Sequence, residues 1–329
     1  MQKAVTVLRG SLVENTHIAH IAVVNTQGQL MQWFNDPHRL TLVRSAAKPA
    51  QAAIAIETGA IAQFAFTSEE IALMCASHNS EDVQVEKVVA ILAKLGATEA
   101  DLTCGAHTPL SSAMAKQWLQ SGKTPTPACN TCSGKHAGVL AAALALGAPI
   151  AGYQLPQHTV QVHTRHELAR LLDLSEEQVS WAIDGCNLPT PAFALDRLAR
   201  VYARVAAGTT PAYAQIGSAM TQHPYLVGGE GRFCTQLMQA FGGLVVGKMG
   251  ADASYGLGIS QSAAGPALGV SVKIEDGNVQ IAYAVVCEIL EQLNVGTPEQ
   301  RAKLAGWHRP EIRNTAGLVV GKLQFDFTL

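Results

Sequence analysis

A serine and a lysine three positions apart are the residues of this sequence best suited to nucleophilic chemistry. Ser45 and Lys48 form an S-x-x-K pattern, and the apolar stretch that follows them and stops at Gly59 predicts a helix. This spacing puts the hydroxyl and the amine on one side of a helical turn, where a neutral amine can take the serine proton. Pro49 fits only in the first helical turn, so we expect Ser45 at the helix start, near backbone N–H groups that can stabilise an oxyanion. Taken alone, the pattern is more typical of a surface lysine beside a capping serine.

Two later segments extend this pattern. Ser77 begins an S-H-N string after a predicted helix over residues 69–75, and Lys248 begins K-M-G after a predicted strand over residues 244–246. The order is similar to the S-x-x-K, S-D-N and K-T-G pattern of serine β-lactamases and penicillin-binding proteins. His78 replaces the aspartate of that pattern, and Met249 replaces its threonine. The order of the three parts, on a helix, a loop and a strand, favours a serine enzyme of acyl transfer.

A second cluster brings thiols together. Cys129 and Cys132 form a C-x-x-C string, and Cys186 follows Asp184 at a distant predicted turn. The spacing is compatible with half a zinc site or a redox pair. It is also compatible with buried thiols that pack as small apolar groups, and these alternatives stay open on spacing alone. The remaining cysteines stand singly in apolar surroundings and are predicted to be core residues: Cys75, Cys104, Cys234 and Cys287.

The elements that must position these residues are strands near both chain ends and helices between them. A hairpin is predicted over residues 20–34, and further strands over 244–246, 267–274, 279–286 and 318–327, with a hairpin turn at Asp276-Gly277. Helices are predicted over residues 80–96, 135–146 and 190–207. This distribution predicts an α+β fold, in which a β-sheet formed from both chain ends packs against a helical lobe. We expect residues 1–329 to form a single domain with two lobes.

The composition excludes several classes of protein. The 329 residues are 48% hydrophobic and 15% charged, with a net charge of −2. Such a chain has a large core and no basic surface for nucleic acid or for an anionic membrane. The longest apolar run, over residues 139–153, is too short to span a bilayer, and the N-terminus has no export signal. We therefore expect a cytoplasmic protein with thiols and a small-molecule substrate, and with neither nucleic acid nor membrane as a partner.

Four segments together resemble the rhizobial-type, or class 3, L-asparaginases. They are residues 44–51 (R-S-A-A-K-P-A-Q), 132–138 (C-S-G-K-H-A-G), 184–186 (D-G-C), and 223–224 (H-P) with 231–234 (G-R-F-C). The resemblance extends over essentially the whole chain, and C-S-G-K-H-A-G is its most specific string. It implies a homodimer with the serine β-lactamase-like fold that hydrolyses L-asparagine to L-aspartate and ammonia.

The resemblance also implies a role for each candidate residue. Ser45 matches the nucleophile and Lys48 its partner, and Ser77 with Lys248 matches a second Ser-Lys dyad. Zinc is the implied metal, and it would hold the pocket in shape, because Ser45 already supplies the nucleophile. The residues assigned in this way are the catalytic Ser45, Lys48, Ser77 and Lys248, the zinc ligands Cys132, Lys135 and Cys186, and the substrate-binding candidates Arg44, His136 and Asp184.

Two alternatives to an asparaginase stay open at this point. A serine glutaminase-like amidohydrolase shares the chemistry and needs room for one more methylene, which a pocket discriminates by only ~1–3 kcal/mol. A non-catalytic zinc-binding protein would use Cys132 and Cys186 structurally. The second alternative predicts a metal-dependent melting temperature and no effect of Ser45→Ala on any activity.

Overall fold

The computed structural model describes residues 1–262 and 265–329, which form two compact units. The sheet unit comprises Met1–Ala46, Phe193–Ala207 and Gln236–Leu329, and the helical unit comprises Ala47–Ala192 and Gly208–Thr235. Helices and antiparallel sheets occur together, so the predicted α+β class is confirmed. The assignment of the whole chain to a single domain stays a prediction.

Most strands lie near the two chain ends. In chain order they are β1 (Val5–Arg9), β2 (Leu12–His17), β3 (Ala19–Asn25), β4 (Leu30–Phe34), β5 (Leu40–Leu42), β6 (Ser180–Ile183), β7 (Pro189–Ala194), β8 (Val245–Gly250), β9 (Ser254–Ile259), β10 (Leu268–Ile274), β11 (Ile312–Arg313) and β12 (Val319–Phe325).

The helices fill the middle of the chain and part of its last third. They are α1 (Lys48–Glu57), α2 (Ala60–Gln63), α3 (Ser68–Met74), α4 (Asp82–Lys94), α5 (Ser112–Ser121), α6 (Ser133–Ala145), α7 (Thr159–Leu172), α8 (Leu195–Ala207), α9 (Pro211–Gln222), α10 (Pro224–Val227), α11 (Phe233–Phe241), α12 (Val279–Gln292), α13 (Pro298–Ala302) and α14 (Ala305–His308). Within the described residues, no helix has both the length and the apolar character needed to cross a membrane.

Strands from both chain ends pair with one another in the sheet unit. The order is β11-β12-β1-β2 in a four-stranded sheet and β4-β3-β10-β9-β8 in a five-stranded sheet. Thr6 lies opposite Gln324 in the first sheet, and Val23 lies opposite Val270 in the second. The pairing of the two ends is therefore as predicted, but it produces two antiparallel sheets where a single one was expected.

Glycines in β9 and β10 let α8 lie directly on the five-stranded sheet. A Cβ atom at Gly269 would lie 1.8 Å from the carbonyl oxygen of Ala199, and one at Gly256 would lie 2.0 Å from a ring carbon of Tyr202. Any larger side chain at these positions would push the helix away. Lys248 of β8 pairs in register with Gly256, and directly paired residues share a face of a sheet. Lys248 therefore lies on the face that α8 covers.

A similar close approach joins α6 to α3 in the helical unit. Gly134 and Gly138 are one turn apart on α6, and a Cβ atom on them would lie 2.2 Å from the carbonyl oxygen of Leu73 and 3.0 Å from Cγ of Met74. Helix α3 ends three residues before Ser77. The contact between the two helices therefore also fixes the point from which the Ser77 segment leaves α3.

The predicted strand over residues 279–286 is wrong, because these residues begin helix α12. Asn278 caps this helix, and its side-chain oxygen accepts hydrogen bonds from the N–H groups of Gln280 and Ile281 at 3.1 and 3.2 Å. The predicted hairpin turn at Asp276-Gly277 leads from β10 into the helix instead. A helix that is buried on all sides shows no polar face, so its run of apolar residues is indistinguishable from that of a buried strand.

The predicted helix over residues 190–207 is wrong in its first part, because helix α8 begins only at Leu195. Before it lies β7, which pairs with β6 so that Pro189 lies opposite Ile183. Pro191 was expected in the first turn of a helix. It belongs instead to a P-T-P string, in which each residue before a proline is driven towards extended backbone.

The other predicted elements are confirmed within one to three residues at most boundaries. They are the hairpin β3–β4, helices α3, α4 and α6, and strands β8, β10 and β12. Pro49 lies in the first turn of α1, as expected, and α1 ends just before Gly59.

We expect Gly134→Ala to lower the free energy of unfolding by about 1–3 kcal/mol, because the new methyl group would overlap the backbone of α3. Urea denaturation measures this loss. Gly306→Ala is the matched control, since a Cβ atom at Gly306 meets nothing within 4 Å. Equal midpoints for Gly134→Ala and the wild type would show that α6 and α3 do not approach as closely as described.

Candidate active site

Ser45 lies in a 3-10 helix that leads directly into α1, and backbone contacts in the sheet unit hold the residues around it. The hydroxyl of Ser254 donates a hydrogen bond to the carbonyl of Val43 at 2.8 Å. The hydroxyl of Tyr202 donates one to the carbonyl of Ala46, also at 2.8 Å. Ser45 itself is only partly buried. Hydrogen bonds thus fix the backbone on both sides of the predicted nucleophile, Ser45.

Arg44 has a left-handed backbone, with φ of 52°, directly before this serine. Its guanidinium forms an ion pair with the carboxylate of Asp252, which also has a positive φ, 55°. The ammonium of Lys273 donates to the backbone carbonyl of Asp252 at 2.7 Å and so supports this turn. Left-handed non-glycine residues are strained, and such strain is found preferentially at functional sites. The substrate-binding role of Arg44 stays a prediction.

Lys48 is the first residue of α1, and its buried amine has three acceptors in the helical unit. It donates to the carbonyl of Ala76, to Oγ of Ser77 at 3.1 Å and to Sγ of Cys132 at 3.2 Å. An ammonium group has three N–H donors, so each donor has a partner. The structure therefore brings together one member of each predicted dyad, Lys48 and Ser77, next to a predicted zinc ligand.

Cys132, which contacts the amine of Lys48, also lies beside Cys186. With Lys48 and Lys135, these two cysteines form a buried cluster of amines and sulfur atoms. A hydrogen bond from Cys186 and the ammonium groups of Lys48 and Lys135 hold the pKa of Cys132 well below its ordinary value, although burial opposes them. The same hydrogen bond and burial raise the pKa of Cys186. This arrangement favours the thiolate form of Cys132, which accepts a hydrogen bond from the thiol of Cys186.

Lys135 completes this group on the side of Cys186. Its amine lies 3.1 Å from Sγ of Cys186. Burial works against the charge of Lys135, but Cys186, Cys132 and the carboxylate of Asp184 outweigh it and raise the pKa of this lysine. All three predicted zinc ligands thus lie in one cluster, with Asp184 near enough to act on Lys135.

The C-x-x-C string does not act as a pair in this arrangement. Sγ of Cys129 lies 3.4 Å from the hydroxyl of Thr126, whereas the thiol that interacts with Cys132 is Cys186. All seven cysteines are buried, so the core positions predicted for the four single cysteines are confirmed.

The segment after Ser77 is held by a glycine-rich loop that sequence reasoning did not connect with it. The N–H of Ser77 donates to the carbonyl of Val227 at 3.0 Å. The guanidinium of Arg232 donates to the side-chain oxygen of Asn79 at 2.8 Å, and the Asn79 amide donates to the carbonyl of Glu230 at 3.0 Å. The only signal for this contact was the G-R-F-C string, which begins at residue 231.

His136 is fully buried beside Tyr153. Its Nδ1 lies 2.5 Å from the Tyr153 hydroxyl, which accepts a hydrogen bond from the N–H of Thr103 at 3.0 Å. Burial, with the ammonium groups of Lys135 and Lys48, lowers the pKa of His136 well below its ordinary value. The ring is therefore neutral, and its predicted contact with substrate stays a prediction.

Lys248 lies on β8 in the sheet unit and is almost completely buried. Its amine donates to the backbone carbonyl of Met249 at 2.8 Å. Its predicted role as partner of Ser77 stays a prediction.

The thiol-amine cluster has donor types that suit zinc. Among the described residues, no three side chains of His, Cys, Asp and Glu are grouped so that they could hold a metal ion. The set formed by Cys132, Cys186 and Lys135 instead offers two sulfur donors and one nitrogen donor, and zinc binds both kinds. Lys135 and Cys186 must each lose a proton before they can bind the metal.

Comparison with known proteins identifies the class of the chain as an amidohydrolase that acts on L-asparagine. A family model described as L-asparaginase II matches residues 5–325. The chain therefore belongs to the L-asparaginase II family. No curated protein gives a significant match to it.

We expect the metal-free protein to carry one thiolate at neutral pH, because the lowered pKa of Cys132 keeps it deprotonated until the solution is acidified. The ultraviolet absorbance of the thiolate should disappear in Cys132→Ser and persist in Cys287→Ser. Cys287 is a suitable control because burial raises its pKa. Equal thiolate absorbance in the wild type and Cys132→Ser at neutral pH would contradict the assignment.

Proposed function

We propose that the chain hydrolyses L-asparagine to L-aspartate and ammonia through a β-aspartyl ester on Ser45. The observation that carries this proposal is the buried amine of Lys48, 3.1 Å from Oγ of Ser77, in a chain that matches the L-asparaginase II family over residues 5–325. An amine and a hydroxyl within hydrogen-bond reach can pass a proton between them.

The first step of the proposed mechanism forms the ester. Lys48 first loses to solvent one of the three protons that it carries as an ammonium. The neutral amine then accepts the proton of Ser45, and the serine oxygen bonds to the side-chain amide carbon of the substrate. The amide oxygen becomes an oxyanion, which backbone N–H groups near Ser45 would stabilise. Ser45 and Lys48 are suited to this step because they lie three residues apart, with Ser45 in the 3-10 helix that leads into α1 and Lys48 as the first residue of α1.

The second step releases ammonia and then the acid. The proton taken from Ser45 passes to the amide nitrogen through the relay formed by Ser77 and Lys248, the C–N bond breaks, and ammonia leaves. The contact between Lys48 and Ser77 supports this route, because it gives the proton a path from the base to the relay. A water molecule then loses a proton to Lys48 and attacks the ester carbon. The bond from this carbon to Oγ of Ser45 breaks, and Lys48 returns the proton to that oxygen, which releases L-aspartate and restores both side chains.

The order of the elements supports a serine β-lactamase-like fold. Lys48 begins helix α1, Ser77 lies in the loop after α3, and Lys248 lies on strand β8. Helix, loop and strand are the elements that carry the three parts of the β-lactamase pattern, in this order.

Substrate recognition in this proposal requires opposite charges at fixed points, since L-asparagine is a small zwitterion. Arg44 is the proposed ligand of the α-carboxylate, and its left-handed backbone supports a positioned role. Asp184 is the proposed ligand of the α-amine. His136, which is neutral and buried, would offer a hydrogen bond without a charge.

Zinc would be held by Cys132, Lys135 and Cys186. Bound to these three side chains, the metal would supply a rigid cross-link between the start of α6 and the turn that follows β6. This role needs no metal-bound nucleophile, because Ser45 provides one. Lys135 can serve only after it has lost its proton.

We expect Ser45→Ala to fold normally and to release no ammonia from L-asparagine. Acid quenching of the wild type during turnover should trap an ester, visible by mass spectrometry as an aspartyl adduct on the peptide that contains Ser45. Ser260→Ala, a serine outside the proposed group, is the control and should keep full turnover. Full turnover by Ser45→Ala would overturn the assignment of the nucleophile, and faster turnover of L-glutamine than of L-asparagine would favour the glutaminase alternative.

We expect zinc binding to the metal-free protein to release about two protons, one from Cys186 and one from Lys135. Affinity should therefore fall as the pH falls, by roughly 100-fold per pH unit where both groups are protonated in the free protein. Calorimetry in buffers of different ionisation enthalpy counts these protons. Cys186→Ser should lose the site and Cys287→Ser should keep it. Zinc affinity that is independent of pH, or unchanged in Cys186→Ser, would refute this ligand set.

A further inference from the structure

We propose that His78 is a positioning residue, whose imidazole braces the Ser77 segment against the start of α6 and so holds the Ser77 hydroxyl at the amine of Lys48. This inference rests on the proposed function, because the position of Ser77 affects turnover only if Ser77 takes part in the reaction. His78 stands where the β-lactamase pattern has an aspartate, and the proposed mechanism gives it no step.

The hydrogen bonds around the imidazole fix which of its nitrogens carries the proton. The N–H of Ser80 lies 3.1 Å from Nδ1 of His78 and can only donate, so Nδ1 is unprotonated. The neutral ring then carries its proton on Nε2, which lies 2.8 Å from Oγ of Ser133. The hydroxyl of Ser133 donates in turn to the carbonyl of Ala128 at 2.8 Å. Every donor in this series of hydrogen bonds has an acceptor. The series can run in one direction only, from the N–H of Ser80 to the carbonyl of Ala128.

The imidazole cannot act as an acid or a base near neutral pH. His78 is fully buried, and burial, together with the charges of Lys48 and Arg232, lowers its pKa to about 3. Protonation of Nδ1 would also break the hydrogen bond from Ser80, because Nδ1 and the backbone N–H of Ser80 would then both be donors. His78 is therefore a rigid neutral group with one donor and one acceptor.

The hydrogen bonds of the His78 side chain affect the position of Ser77 because the two residues are adjacent and their backbone N–H groups are both hydrogen-bonded. The N–H of Ser77 is tied to the carbonyl of Val227, and the N–H of His78 is tied to the carbonyl of Thr131 at 3.2 Å. Lys48 holds the carbonyl of Ala76 just before them. The His78 side chain adds the anchor that reaches the first turn of α6, so its loss would let the segment move relative to Cys132 and Lys48.

Ser133, the partner of His78, is the second residue of the C-S-G-K-H-A-G string. Its hydroxyl is fully buried and has no part in the proposed chemistry. An alanine at this position would leave the Nε2 proton of His78 without an acceptor. The hydrogen bond between His78 and Ser133 thus links two segments that lie far apart in the sequence.

The test compares turnover of L-asparagine by His78→Ala, His78→Gln and Ser133→Ala at a temperature where all of them are folded. We expect His78→Ala and Ser133→Ala to lower kcat by roughly 10- to 100-fold, because small misplacements of reacting groups have costs of this size. KM should change little, since no substrate contact is removed. The amide nitrogen of His78→Gln can replace Nε2, so this variant should recover much of kcat.

Ser271→Ala is the matched control for Ser133→Ala. Ser271 is also fully buried, and its hydroxyl also donates to a backbone carbonyl at 2.8 Å, that of Leu195 in the sheet unit. Both alanine variants should lose similar stability, but only Ser133→Ala should lose kcat. If kcat falls equally in both, the effect is a general loss of packing and the inference is refuted.

Two further measurements separate a positioning role from an acid–base role. The nitrogen NMR signals of the His78 ring should show a protonated Nε2 and a bare Nδ1 and should not titrate near neutral pH. The pH–rate profiles of His78→Gln and the wild type should have the same limbs and differ only in height. A titrating ring, or a limb that disappears in His78→Gln, would overturn the inference.

Ser77→Ala distinguishes failure of this inference from failure of the proposed function. If Ser77→Ala is inactive while His78→Ala and Ser133→Ala keep full kcat, the proposed function stands and the brace is refuted. If Ser77→Ala keeps full kcat, the relay itself is wrong, and the brace is refuted with it.

Discussion

The helical unit is organised around one buried amine, that of Lys48. Burying an amine is costly unless each of its N–H groups meets an acceptor, and here the acceptors come from two separate segments. Ala76 and Ser77 lie in the loop after α3, and Cys132 immediately precedes α6. The start of α1 must therefore meet both segments at one point. The helices of this unit must therefore pack so that the amine of Lys48 reaches its acceptors on both segments while their apolar side chains are buried.

Small residues make this meeting possible. Gly134 and Gly138 remove the side chains that would separate α6 from α3, while Ser133 and Lys135 on the same helix direct polar groups to His78 and Cys186. Neighbouring residues of the C-S-G-K-H-A-G string thus point to different partners around the helix. The glycines of this string allow the close packing of α6 on α3, and its serine and lysine make the polar contacts. Few other residues could replace them.

The sequence was sufficient to predict those features that depend on local signals. The turn near Gly28, Pro49 in the first turn of α1 and Gly96 after α4 each mark an element that the structure contains. Local signals failed where burial removes the contrast between apolar and polar faces, as in α12. They also failed at Pro191, whose effect depends on whether the flanking backbone is already paired in a sheet.

For the candidate site, the sequence supplied the residues but not their contacts. Lys48, Ser77 and Cys132 were each singled out, yet nothing in their spacing indicated that the amine of Lys48 touches both of the others. The partners of Arg44, His136 and His78 are Asp252, Tyr153 and Ser133. Asp252 and Ser133 lie far away along the chain from their partners, and Tyr153 carries no motif of its own. Contacts of this kind are set by how the elements pack, and no local pattern encodes them.

The position of Cys132 has a consequence for any effect of zinc on turnover. Its sulfur contacts Lys48 and also belongs to the proposed metal cluster, so a metal ion bound there would change the surroundings of the proposed base without touching the substrate. Lys48 would keep its two oxygen acceptors, Ala76 and Ser77, whether or not the sulfur is engaged by a metal. A metal that acted in this way would alter the rate of ester formation without being required for the ester to form. If the Ser45 ester still accumulates after the metal is removed, the role of the metal cluster is structural. If no ester forms, the metal is required for the reaction.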